Sequence, residues 1–143
     1  MAETFATEVA GTESTPSVKA SGAVQGGNMR RFRATIEYDG QAAGDTVVLA
    51  NVPAGYAFSH GVLTASATAG ASATIAIGIS GTTGKYRTAA TFTAANTPTH
   101  FGNAAAVKAD PLTAAERVIA TIAVAALPTS ADFLVVDLYF TAP

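Results

Sequence analysis

The sequence has 143 residues, a formal net charge of −2 and no cysteine. That length fits one domain, the charge excludes a chain-wide electrostatic footprint for nucleic acid or an anionic membrane, and the missing thiols exclude disulfides and thiolate metal sites. Alanine accounts for 33 residues, and Asp, Glu, Lys and Arg for only 13% against a usual quarter. The expectation is therefore a thin core, a weakly charged surface and burial completed in an assembly.

Residues 1–28 are rich in Thr, Ser, Gly, Glu and Ala and show no sustained periodicity. Such a segment cannot bury enough surface to offset its ordering cost alone. It reads as an extended N-terminal arm that orders on a partner, with the spaced Phe5, Val9, Val18 and Val24 as anchors. The first 20 residues lack a basic n-region and an apolar h-region, so no secretory leader is expected. Residues 29–143 read as one β-domain.

Within "RFRATIEYD" (31–39), Phe32, Ala34, Ile36 and Tyr38 alternate with polar neighbours, the pattern of a half-buried strand. A turn at "DGQAAGD" leads to a strand over 46–52. "PAG" leads to another over 56–67, with a bulge expected at Gly61. After "TAGAS", Ile75, Ile77 and Ile79 share one face of a strand over 74–80.

The following "GISGTTGK" resembles a phosphate loop but fails its spacing. A P-loop ending at Gly84–Lys85 needs its first glycine at position 79, which is Ile79, and Ser or Thr after the lysine, where Tyr86 stands. "SGTTG" therefore reads as a hairpin turn entering "KYR", with Lys85 dispensable. Residues 87–110 are expected to hold loops and one or two short strands.

The segment 110–128 sends mixed signals. Pro111 after Asp110 and the Thr113 to Glu116 spacing suggest a helix start, but Val118, Ile119, Thr121, Ile122 and Val124 are β-branched. The expectation is one helical turn at 113–117 and then a strand to about 125, with a longer helix as the alternative. The run "VIATIAVAAL" is too short to cross a bilayer, which needs roughly 20 residues. The final "DFLVVDLYFT" sets Leu134, Val136, Leu138 and Phe140 on one face and Phe133, Val135, Asp137 and Tyr139 on the other. The sum is an all-β protein, an antiparallel β-sandwich that is jelly-roll-like.

No catalytic, cofactor or metal site emerges. His60 and His100 are 40 residues apart without a carboxylate cluster. Asp39 and Asp45 lack calcium-loop spacing and suit turns instead. No Gly-x-Ser-x-Gly elbow occurs. The one basic cluster, "MRRFR", places Arg30, Arg31 and Arg33 as candidates for meeting carboxylates of another chain. With the four arm residues they form the candidate partner-binding set.

The order "GDTVVLANVPAG", "TIAIGISGTTG", "PLTAAE" and "LVVDLYF" resembles small virion proteins of tailed phages and prophages, over about residues 31–141. The resemblance implies a non-enzymatic capsid decoration (cement) protein on the capsid exterior, binding the major capsid protein between capsomers. It also implies self-association, with a trimer expected because a lattice offers threefold positions. Nucleic acid, membrane and small-molecule partners are not expected, nor is a cofactor. The alternative is a β-module of a tail or head fibre that binds a host glycan or another virion protein. That reading would need Tyr56, Tyr86, Phe92 and Phe101 to present faces over a groove.

Overall fold

The computed structural model describes residues 2–143, apart from the side chain of Glu13. Eight strands follow one another: β1 (Asn28–Asp39), β2 (Thr46–Val52), β3 (Ala57–Ala65), β4 (Thr74–Ile79), β5 (Thr82–Thr91), β6 (Thr99–Phe101), β7 (Glu116–Ala123) and β8 (Thr129–Ala142). One short helix, α1 (Ala104–Lys108), lies between β6 and β7.

The strands form two four-stranded sheets, in the orders β1-β8-β3-β6 and β2-β7-β4-β5. Their pairings are nested: β1 with β8, β2 with β7, β3 with β6, β4 with β5, all antiparallel. A long hairpin rolled up in this way is a jelly roll, which confirms the all-β sandwich expected from the sequence. The rolled path puts the β1–β2, β3–β4, β5–β6 and β7–β8 connections at one end. The arm, the β2–β3 and β6–β7 connections and the C-terminus sit at the other.

The core is built by inward-facing positions at period two. Leu134, Val136, Leu138 and Phe140 of β8 are all buried, as are Ile36, Leu63, Ile75, Ile77, Val118 and Ile122. At the arm end the core is aromatic. Phe58 packs on Tyr86 with ring centroids 4.5 Å apart and on Phe140 at 5.3 Å, and Phe32 meets Phe140 edge-on at 5.9 Å. Aromatic rings each bury a large area and offset the small contribution of the alanines, many of which fill narrow positions such as Ala65, Ala69 and Ala120.

Three local expectations are corrected. The register irregularity of β3 against β8 falls between Phe58 and His60, not at Gly61. Gly61 instead lies beneath the Phe101 ring, where a Cβ would stand 2.1 Å from Cζ. No helical turn forms at 113–117, because the side chain that gave the capping-box spacing is used elsewhere. Glu116 opens β7 and its carboxylate accepts from Lys85 and Tyr86 across the sheet. The helix occurs instead in the alanine-rich "AAAVK" after Asn103, as alanine's high helix propensity favours. The longer helix over 113–126 is excluded by the pairing of β7 with both β2 and β4.

Candidate partner-binding surface

The arm leaves the sandwich at Asn28, where β1 begins. Its buried contact comes from a residue that the sequence did not single out. Ala23 is only 2% exposed, and the Thr141 hydroxyl donates to its carbonyl. Further out, the chain makes a 3-10 turn over Ala10–Glu13 and folds back, with the Val18 N–H donating to the Gly11 carbonyl at 2.7 Å. Of the four proposed anchors, Phe5 is 50% exposed, Val18 62% and Val24 38%, while Val9 is half-buried. Val18 and Val24 help to line a cleft of about 770 Å³ between the arm and the body, opposite Phe58 and Val107. Phe5 does not line it. The four residues are thus not gathered at one point.

The three arginines separate into different roles. Arg33 stands opposite Asp137 in the β1–β8 ladder and binds it fork to fork, Nε to Oδ1 and Nη2 to Oδ2, both at 2.7 Å. The hydrogen bond and charge of Asp137 raise the guanidinium pKa further above its ordinary value. Arg30 and Arg31 are exposed. Arg31 lies opposite Tyr139 on the outer face, whereas Arg30 lies opposite the inward-facing Phe140. Together with exposed Met29 they mark the start of an edge strand whose side away from β8 pairs with no other described strand.

The glycine-rich stretch is a β4–β5 hairpin. Ile79 pairs with Thr82, and Gly81 takes φ +85° between them, a conformation glycine adopts without steric cost. Gly78 permits a close crossing of backbones, since a Cβ there would lie 2.2 Å from the Thr82 carbonyl oxygen. Lys85 does not line the cleft beside the arm. It forms an ion pair with Glu116, and both side chains are largely buried. Tyr86 donates to the other Glu116 oxygen at 2.6 Å. Burial first, and then this bond and the carboxylate charge, push the phenol pKa far up. The sequence expectation that Lys85 is dispensable is therefore replaced by a structural role: Lys85 and Tyr86 tie β5 to β7.

Asp45 serves its turn, its carboxylate accepting the Ala42 N–H at 2.8 Å. Tyr86 and Phe92 are buried, and Tyr56 and Phe101 pack against the core, so these four aromatics do not face a common groove. What sequence reasoning missed is a row across the outer face of β8, β3 and β6. Tyr139 stacks on His60 with centroids 4.6 Å apart and planes 12° apart, and His60 lies 5.8 Å from His100. Three separate strands build it, so no local spacing could have revealed it. Among the described residues, no three His, Cys, Asp or Glu side chains gather as a metal site.

Neither a family model nor a curated protein matches the sequence. The fold does match solved structures. A chain of the "Cyanophage Pam1 capsid asymmetric unit" superposes with a TM-score of 0.67 at 16% identity, covering 82% of this chain and 86% of that one. A chain of the "Capsid of Ralstonia phage GP4" gives 0.63 at 20% identity, with 82% and 84% covered. A chain of the "Acidic stable capsid structure of Helicobacter pylori bacteriophage KHP30" gives 0.59 at 14%, with 80% and 88% covered. At these identities the likeness is one of fold. This jelly roll is similar to the greater part of small chains found in phage capsid structures.

Proposed function

We propose that this chain is a non-enzymatic virion structural protein of a tailed phage, one that decorates and stabilises the capsid by binding the major capsid protein between capsomers. The observation that carries the reading is the near-mutual coverage of the structural matches, 82% of this chain against 86% of a chain in a phage capsid. Nearly the whole of each small protein is the shared jelly roll, so the likeness is not to a module embedded in a larger enzyme.

Physical features support the same reading. Several charged and phenolic side chains are used within the fold: Lys85 and Tyr86 on Glu116, Arg33 on Asp137. The exposed apolar residues are dispersed over the arm, the strands and the loops, as suits a protein that spreads its contacts over several neighbours. Self-association as a trimer at lattice threefolds belongs to the same proposal. Imaging the native virion tests it. The expected result is this jelly roll repeated regularly on the outer capsid surface, in contact with the shell. Density confined to a tail or fibre would overturn the reading.

A further inference from the structure

The β7–β8 connection holds a valine in a backbone conformation that valine avoids. Val124 has φ +70°, and the Ala125 N–H donates to the Ala123 carbonyl at 2.8 Å. Ala123–Ala125 is thus a γ-turn of the rare positive-φ kind. At such φ the Cβ crowds the backbone, and a β-branched residue there is an outlier. The one other non-glycine residue with positive φ among those described is Asn96, a type that tolerates it.

The turn is held on both sides. The Gly44 N–H donates to the Ile122 carbonyl, the Ile122 N–H to Asp45, and the Leu127 N–H to Gln41, while the Leu127 side chain is buried. The chain between Ile122 and Leu127 is therefore confined, and strain persists only where surroundings dictate it so fully. Yet Val124 is 75% exposed, more than any other large hydrophobic residue described. Glycine or asparagine would fit the backbone better, and a polar side chain would suit the water. A valine here serves neither the turn nor the core.

We propose that Val124 is an apolar knob that enters a depression on the phage shell protein. The assignment of that partner rests on the function proposed above. The loops around Val124, residues 40–45, 66–73, 92–98 and 124–128, contain no lysine or arginine and one carboxylate, Asp45, with Asp39 and the Ser66-bound Asp132 at the adjoining strand ends. The surface facing them is accordingly apolar and not acidic. A second copy fits poorly. A twofold contact through these loops would set Asp39 and Asp45 of one copy against those of the other, and a head-to-tail contact need not close.

The test compares the full-length protein with Val124→Gly and Val124→Asn, both of which relax the backbone and remove the knob. Thermal melting, light scattering and co-sedimentation with phage particles lacking the protein are measured on each. Both variants are expected to melt at or above the wild-type temperature, to keep its oligomeric mass, and to bind particles at least about tenfold more weakly, the loss expected of one buried valine. Equal binding by wild type and variants would overturn the knob and leave the shell reading standing. Failure of the wild type itself to sediment would overturn the shell reading and, with it, the partner assigned to Val124. A fall in oligomeric mass would move the knob to a self-contact, and a fall in melting temperature of several degrees would give the valine a folding role. Either result overturns the proposal.

Discussion

Arg33 and Asp137 are directly opposed on β1 and β8, and their side chains meet in two parallel hydrogen bonds of 2.7 Å. The Asp137 side chain is 11% exposed and the Arg33 side chain 53%, so the acid depends on the arginine more than the reverse. Arg33→Ala should destabilise the fold, because it strips the nearly buried Asp137 carboxylate of its partner, although water at the arginine softens the loss. Arg31→Ala, which breaks no such pair, should stay within about 0.5 kcal/mol. Thermal melts of the two variants check the difference. An arginine committed to Asp137 is also a poor candidate for a partner carboxylate, so particle binding should respond to Arg31→Ala more than its melting does.

Lys85→Ala removes one of two donors to a carboxylate that is only 18% exposed. Leaving a buried charge half-paired costs about 1–3 kcal/mol. Chemical denaturation should show a lower midpoint with an unchanged slope, the signature of lost stability without a change in unfolded surface. ATP or GTP should leave the melting temperature of the wild type unmoved, because the glycines serve a hairpin. A nucleotide-dependent rise would reverse that conclusion.

The glycines themselves can be ranked. A Cβ at Gly78 would meet backbone, the Thr82 and Thr83 carbonyl oxygens at 2.2 and 2.6 Å, whereas at Gly61 it would meet the Phe101 ring. A ring at a short edge strand can swing aside, but a paired hairpin backbone cannot without breaking its ladder. Gly78→Ala should therefore cost more than Gly61→Ala, about 2–4 kcal/mol against about 1–2 kcal/mol. Melts of the two variants in the reverse order would contradict the packing described.

These positions also show what the sequence could and could not reveal. The alternation in β1 is legible because that strand has one face in the core and one in water, so burial writes period two into its residues, whereas β8, paired on both sides and half-covered on its outer face, reads as a nearly continuous apolar run. Pairing was not legible. Arg33 and Asp137 are 104 residues apart, and only the rolled topology brings them together. Glu116 misled because a carboxylate three residues after Thr113 looks the same whether it caps a helix or crosses a sheet to Lys85. Residues 88–91 of β5 are exposed on both faces, which leaves no alternation to read. The outer row of Tyr139, His60 and His100 and the turn at Val124 arise from backbone placement, for which the side-chain pattern carries no signal.

Alkaline stability should depend on Tyr86. Its phenol ionises near pH 10 in an unfolded chain, while burial and Glu116 raise the value in the folded protein. As pH rises through about 10, the unfolded state loses its proton first, so the folded state binds more protons and stability falls. The contribution is complete below pH 10 and declines above it. Tyr38, whose pKa burial also raises, acts in the same direction. Tyr86→Phe should lower stability at neutral pH by about 1 kcal/mol through the lost bond to Glu116 and flatten the decline between pH 9.5 and 11.5, a range chosen to bracket the ordinary phenol value. Parallel melting curves for the two proteins across that range would rule out Tyr86 as the source.

Arm truncation should divide at Ala23. Residues 2–20 make turns and carry Phe5, Val9 and Val18, but none of them is fully buried, so their removal exposes little core. Ala23 is buried and holds the Thr141 hydroxyl through its carbonyl, and Val24 borders the cleft above Phe58. Removing residues 2–20 should therefore leave the melting temperature nearly unchanged. Removing residues 2–27 should lower it, by about 1–2 kcal/mol for a lost hydrogen bond and uncovered apolar surface. If the arm also reaches a neighbour on the capsid, the shorter deletion should weaken co-sedimentation with undecorated particles while stability holds. An arm of 20 residues extended at about 3.3 Å each spans up to roughly 65 Å, and repetition over many sites multiplies a small gain per arm. Undiminished binding by the 2–20 deletion would assign attachment to the sandwich and its loops, and equal melting of both deletions would show that Ala23 does not anchor the arm.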